Sequence, residues 1–188
     1  MTGAASIPRG PLQDDDLQLR LVTESDAQLI VELRSTPKAQ ILPQGALTAA
    51  AQVAWIKKYQ EREAQGSERY FAIVWAGEPI GFVRVYNIEP NAGTFTWGSW
   101  VIREGAPTHV ALRVVRLIYD FAFESCGLRL ALLDVRLTNL NVQRFQVRLG
   151  ARELYRTPLD IFYDYSRETY RAFRPRLTTL IGSMLKSP

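Results

Sequence analysis

Hydrophobic residues recur along the chain with two different periods, and each change of period marks an element. Leu17, Leu19 and Leu21 alternate with polar residues in "LQLRLV" (17–22), the pattern of a strand. In "DAQLIVELR" (26–34), Leu29, Ile30 and Leu33 share one face of a helix, with Ser25 as its cap and Asp26 in its first turn. A second helix is predicted over "TAAAQVAWIKKYQEREAQG" (48–66), capped by Thr48 and stopped by Gly66. Between the two, "STPKAQILPQGAL" (35–47) holds two prolines and reads as a loop.

Three alternating runs follow, Tyr70–Trp75, Ile80–Ile88 and Thr94–Ile102, joined by the short turns "AGEP" and "EPNAG". Such turns predict antiparallel neighbours. The period then returns to that of a helix. From Val110 to Ser125, Ala111, Val114, Val115, Ile118 and Ala122 fall on one side, and Arg113, Arg116, Asp120 and Glu124 on the other. Gly127 ends this helix. Leu130–Leu137 reads as a strand, and "NLNVQRFQVRLG" (139–150) as a helix closed by Gly150. Strands over Arg152–Tyr155 and Ile161–Tyr165 precede a terminal helix capped by Ser166. The order predicts an α/β (α+β) fold of three layers. Its central sheet is mixed, mostly antiparallel and of six to seven strands, with helices on both faces. Residues 1–16, with Gly, Pro and three successive Asp, read as a flexible tail, and 17–188 as a single domain.

Composition narrows the function classes. The net charge is only +4, from 23 basic and 19 acidic residues, which suits an anionic ligand without calling for nucleic acid. One cysteine, Cys126, rules out an internal disulfide, and one histidine with one cysteine cannot supply the usual metal clusters. The start of the chain lacks the apolar core of a signal peptide, and no apolar run reaches the roughly 18 residues of a membrane span. The reading is a cytoplasmic protein with no metal, no membrane and no nucleic-acid partner.

The candidate chemistry lies in "WGSWVIREGAPTHVALRVV" (97–115), where a strand runs into a helix through a loop of small residues. A helix N-terminus presents free N–H groups and the positive end of its dipole. Small residues before it let a ligand approach the backbone, and together they make an anion site suited to phosphate. Arg103 adds a positive charge beside it.

The order of elements resembles the GNAT superfamily of acyl-CoA-dependent N-acyltransferases, closest to its ribosomal-protein N-terminal and amino-sugar branch. "DFAFESCGLRLALLDVRLTNLNVQRFQVRLGA" (120–151) is similar to the second half of that core, through Phe121, Phe123, Gly127, Asn139, Arg144, Leu149 and Gly150. "GEPIGFVRVYNIEP" (77–90) resembles its second hairpin and "LIVELRS" (29–35) the end of its first helix. The resemblance implies acetyl-CoA as co-substrate. It places the carrier against Trp100, Val101, Ile102, Arg103, Thr108, His109, Val110, Ala111, Asn139 and Arg144, and the acceptor against Arg34 and Trp97. It also implies that the strand over 94–102 splays from the next, so that Trp100, Val101 and Ile102 lie along the gap.

The family's acid and base positions are lost. Its tyrosine position holds Gln146, and its glutamate position holds Thr96. In the family's glycine-rich loop, the glycine positions fall at His109 and Ala111, and Pro107 lacks an N–H. No base is assigned: His109 reads as a polar residue at a helix start, Glu89 and Asp120 as solvated charges, and Cys126 as a core thiol. Strand alternation puts Trp97 and Trp100 on opposite faces. The function expected is acetyl transfer to the amine of a small acceptor, a nucleotide-linked amino sugar in surface polysaccharide synthesis. Two alternatives stay open, a protein N-terminal acetyltransferase and a catalytically inactive acyl-CoA-binding domain. A homodimer also stays open.

Overall fold

The structure is a computed structural model that describes residues 7–36, 39 and 48–186. Its strands are β1 (Leu12–Asp14), β2 (Leu17–Leu21), β3 (Arg69–Trp75), β4 (Glu78–Glu89), β5 (Thr94–Ile102), β6 (Leu130–Arg136), β7 (Arg152–Arg156) and β8 (Asp160–Ser166). Its helices are α1 (Ala27–Arg34), α2 (Ala49–Ala64), α3 (Thr108–Tyr119), α4 (Leu140–Leu149) and α5 (Arg167–Lys186). The strands form one sheet in the order β1-β2-β3-β4-β5-β6-β8-β7. Every neighbouring pair is antiparallel except β5 and β6, which α3 joins in parallel.

Two cores hold the layers together. Ile30, Leu33, Ile56 and Tyr59 of α1 and α2 pack on Tyr70, Ala72, Phe82 and Val101 on one face. Val110, Val114, Val115 and Ile118 of α3 are fully buried on the other, with Leu149 of α4 and Tyr170 of α5. Each such aliphatic side chain contributes about 1.5–3 kcal/mol through the water it sheds.

The sheet has eight strands rather than six or seven, because order begins before Leu17. Residues 12–14 of the expected tail form an edge strand on β2. The acidic run is what holds them. Arg113 of α3 is 3 % exposed, and its Nε and Nη1 donate to Asp14 Oδ2 at 2.8 Å and Asp16 Oδ1 at 2.7 Å, while Nη2 donates to the Asp14 carbonyl. Arg116 Nη2 reaches Asp14 Oδ2 at 2.6 Å. Arg113, expected on the polar side of its helix, is thus a buried cation neutralised by the chain's own start.

Other differences are local. Thr23, not Ser25, starts the first helical turn, in a capping box with Asp26. The third helix begins at Thr108, two residues before Val110, and passes at Asp120–Ser125 into a wider π turn. Thr48 and Ser166 do cap their helices, accepting from Ala51 N and Thr169 N. The expected 35–47 loop lies largely outside the described residues.

Arg113→Met removes the cation that Asp14 and Asp16 surround. It should lower unfolding free energy by about 2–3 kcal/mol, below the loss for a fully buried pair because both carboxylates keep water. Urea denaturation measures this, and it should be accompanied by faster proteolysis before Leu17. An unchanged midpoint would show that the clamp contributes nothing.

Candidate active site

The β5–β6 pairing stops almost as soon as it begins. Only Thr94↔Leu130 and Phe95↔Ala131 are in register. Beyond them β5 runs on to Ile102 and β6 to Arg136 without pairing. The backbone edges that face each other there lack strand partners, so a cleft passes through the sheet. Its volume is about 420 Å³. Thr108, Ala111, Leu112 and Val115 of α3 form one wall, and Val142, Phe145 and Gln146 of α4 another.

A bulge shapes the β5 wall. Phe82 pairs with Val101 and Arg84 with Gly98, so three steps on β5 oppose two on β4. Ser99 takes up the extra residue with φ of 47°, in the left-handed region. Strict alternation puts Trp97 and Trp100 on opposite faces, but the bulge turns both to the α3 side, with ring centroids 5.8 Å apart. Both line the cleft. Trp97 is held from behind by an edge contact with Tyr119, which stacks on Phe123. The same bulge sends Val101 into the core under α1 and α2.

The expected carrier contacts therefore divide. Trp100, Thr108, Ala111 and Asn139 line the cleft, and so does Trp97. Asn139 also caps α4, its Oδ1 accepting from Val142 N at 3.3 Å. Val101, Ile102, Arg103, His109, Val110, Arg144 and Arg34 do not line it. Val110 is fully buried in the α3 core, and Ile102 packs against that core after the bulge. Arg103 lies exposed, its Nη2 donating to the Pro79 carbonyl. His109 meets Trp75 edge-on, on the side of α3 away from the cleft lining. Arg144 is exposed on α4, and Arg34 is half-buried at the end of α1. Asp120 is taken up by Arg174 and the Tyr170 hydroxyl, and burial pushes the Cys126 thiol up to about 12, leaving it inert.

Three polar atoms in the cleft walls are buried with no partner among the described residues: Trp97 Nε1, Trp100 Nε1 and Gln146 Oε1. Two donors and an acceptor in a largely apolar slot suit a ligand with amide and carbonyl groups. Gln146 is 4 % exposed and stands at the position where a tyrosine was expected. Its amide can hydrogen-bond but cannot deliver a proton at ordinary pH.

Sequence reasoning missed the groups on the other face of the sheet. Tyr86 of β4 and Asp134 and Arg136 of β6 line the cleft there. Asp134 is solvent-exposed at the cleft wall, and partial desolvation there, then the charge of Asp160, raises its carboxyl above its ordinary value. Burial, then the charge of Asp134, raises the Tyr86 hydroxyl, so it stays protonated at neutral pH. Arg136 Nη1 meets Asp160 Oδ2 at 3.1 Å. In "LALLDVRL" a mid-strand Asp reads as the polar phase of a half-exposed strand. Only its place beside a gap distinguishes it, and alternation carries no sign of a gap.

The acetyltransferase (GNAT) domain model matches residues 16–152, most of the chain. No curated protein sequence matches the chain. Among solved structures, apo FdhC, a nucleotide-linked sugar GNAT, is 29 % identical, with a TM-score of 0.82 over 91 % of this chain and 98 % of that one. A variant of spermidine N-acetyltransferase from Vibrio cholerae is 16 % identical, with a TM-score of 0.69 over 84 % of this chain and 97 % of that one. At that identity it speaks for the fold alone. Through the domain match and the cleft between its parted strands, the chain belongs to the GNAT family of N-acetyltransferases.

Proposed function

We propose that the protein moves an acetyl group from acetyl-CoA to the amine of a nucleotide-linked amino sugar, a step suited to surface polysaccharide synthesis. GNAT domains use acetyl-CoA, which would supply the acyl group as an activated thioester. The observation that carries the reading is the cleft through the sheet, with a hydrogen-bonding slot on one face and Asp134 on the other. The amino-sugar acceptor is supported by likeness to a nucleotide-linked sugar GNAT over nearly the whole of both chains.

The chain's own groups divide the work by face. On the α3 side, Trp97 and Trp100 donate, Gln146 accepts, and the first turn of α3 at Thr108 and Ala111 offers amides to an anion. This side positions the carrier and excludes water, which accounts for much of the rate in a two-substrate transfer. On the α1–α2 side, Asp134 takes the proton the amine loses. A raised pKa makes a carboxylate a better base near neutral pH. Tyr86, protonated and across the gap, orients the acceptor as a donor.

Thiol release measured over nucleotide-linked amino sugars, free amino sugars and peptide N-termini tests the acceptor. Nucleotide-linked amino sugars should give the highest kcat/KM. A preference for peptides would overturn the assignment.

Ala111→Asp puts a negative charge at the helix start. Calorimetry should show acetyl-CoA affinity reduced about tenfold or more, at unchanged Tm, because like charges in contact cost several kcal/mol. Unaltered affinity would remove this turn from the site.

Asp134→Asn should lower kcat by about a hundredfold or more, the usual contribution of a positioned base. The sign with pH follows from the raised pKa. The carboxyl must be ionised to accept a proton, so the wild-type rate falls as pH drops through that raised value. This fall starts above the ordinary carboxylate range, near about 3.9. In Asp134→Asn it should vanish, leaving only the ionisation of the acceptor amine. A profile identical to wild type would exclude Asp134.

A further inference from the structure

Among the described residues, one face of the sheet is only half covered. Among those residues, α1 and α2 pack over β3 to β5, and their core includes no residue of β6, β8 or β7. On that open part, strand register places Asp134 opposite Phe162 and Phe162 opposite Tyr155, in a single row across three strands. Directly opposed residues in antiparallel strands point to the same side. The Phe162 and Tyr155 rings stack with centroids 4.4 Å apart and planes 13° from parallel. Tyr155 is 55 % exposed and Leu132, on the same face, 40 %. Stacking hides the face each ring turns to the other, so the shelf the pair offers is the outer face of Tyr155 at the sheet edge.

The row begins in the cleft, because Asp134 is part of its lining. It ends at Tyr155, two strand spacings away, or about 10 Å. An arginine stands on each side of it. Arg136, a cleft residue, is opposite Asp160, and Arg152 is opposite Asp164 and ion-paired with it. Guanidinium groups held by carboxylates keep outward N–H groups for a phosphate. Sequence reading passes over Tyr155 and Phe162 as ordinary strand residues, and the transfer chemistry proposed for Asp134 does not use them.

We propose that the Phe162–Tyr155 shelf is the seat of the acceptor's nucleobase, with Arg136 beside the diphosphate and the sugar amine at Asp134. This rests on the nucleotide-linked acceptor proposed above. The groups such a molecule needs share this face: a cleft carboxylate for the amine, an arginine for the anionic linker and stacked aromatics for a flat ring. Stacking is tolerant of the base, because every base has a π face. The shelf therefore selects for a nucleotide and leaves the choice of nucleotide to other contacts. The alternative occupant, a second copy of the chain, would bury the same rings.

The test uses the whole chain with uridine, thymidine and guanosine diphosphates as probes. In the wild type at least one should inhibit competitively against the acceptor and bind in calorimetry without acetyl-CoA. Tyr155→Ala should weaken that binding about tenfold, the loss of one base stack, and Tyr155→Phe should restore it. The same variant should lower kcat/KM for a nucleotide-linked amino sugar about tenfold relative to the free amino sugar. Absence of binding by all three diphosphates, with free amino sugars still acetylated, would overturn the shelf and leave the transferase reading standing. Diphosphate binding sensitive to Tyr155, with no amine acetylated, would support the shelf while the acceptor reading fails. A dimer in sedimentation that Tyr155→Ala converts to monomer would show that another chain covers the rings, and would overturn the proposal.

Discussion

Two adjacent strands that fail to stay paired govern this molecule. A sheet normally satisfies every interior N–H and C=O through its neighbours, and an unpaired interior edge is costly. Here the cost is confined to one seam. β5 and β6 share only the Thr94–Leu130 and Phe95–Ala131 positions, and Gly93 O, accepting from both Arg129 N and Leu130 N, pins the strands together at that end. From this fixed point they diverge. The bulge at Ser99 adds to the divergence, because the extra residue increases local twist and bends the strand. The resulting gap lets a ligand reach strand backbone from both sides of the sheet.

The elements around the gap are each packed or ion-paired to other parts of the fold. α3 starts at the cleft and buries Val110, Val114, Val115 and Ile118 against the sheet. Its far side is clamped through Arg113 and Arg116 to Asp14 and Asp16, residues of the chain's own beginning. Trp97 is backed by Tyr119 and Phe123, and these rings meet Tyr165 of β8 and Tyr170 of α5. The wall of the cleft thus rests on aromatic contacts drawn from four elements. Gly81 allows the other wall to sit close: a Cβ there would meet the Val101 carbonyl at 2.5 Å, so only glycine fits between β4 and β5.

What was legible in the sequence follows from which physics is local. Element order, the antiparallel meander and the crossover through α3 rest on period and turn chemistry, and these lie within a few residues of each other. Thr108, Ala111 and Asn139 could be placed because they belong to helix starts, which carry their own signals. Trp97 and Trp100 illustrate the limit. Their alternation is sound arithmetic, yet one residue of bulge reverses it for everything after Ser99. That reversal moves Val101 from the cleft into the core. Asp14 and Asp16 were read as tail because their partner, Arg113, is about a hundred positions away. Asp134 was passed over for the same reason, since a gap between strands has no one-dimensional signature.

The placement of Asp134 and Tyr86 bears on the missing family positions. Acetyl transfer needs a group that accepts a proton and a site that stabilises developing charge; it does not need them on particular strands. With Thr96 and Gln146 where a glutamate and a tyrosine were expected, those two positions supply no ionisable group. The gap offers another pair, one strand to either side of β5. Asp134 enters from β6 and Tyr86 from β4; desolvation and then Asp160 raise the carboxyl, and desolvation and then Asp134 raise the phenol. A carboxylate able to accept a proton and a phenol that keeps its own are the two kinds of group the proposed transfer calls on. Both lie on the face that carries the open shelf, whereas the orphaned indoles and the Gln146 carbonyl lie on the other. Under the proposed function, this division puts proton chemistry on the acceptor's side and pure hydrogen bonding on the carrier's side, so that the proposed shelf could change with the substrate while the slot for a common carrier stays as it is.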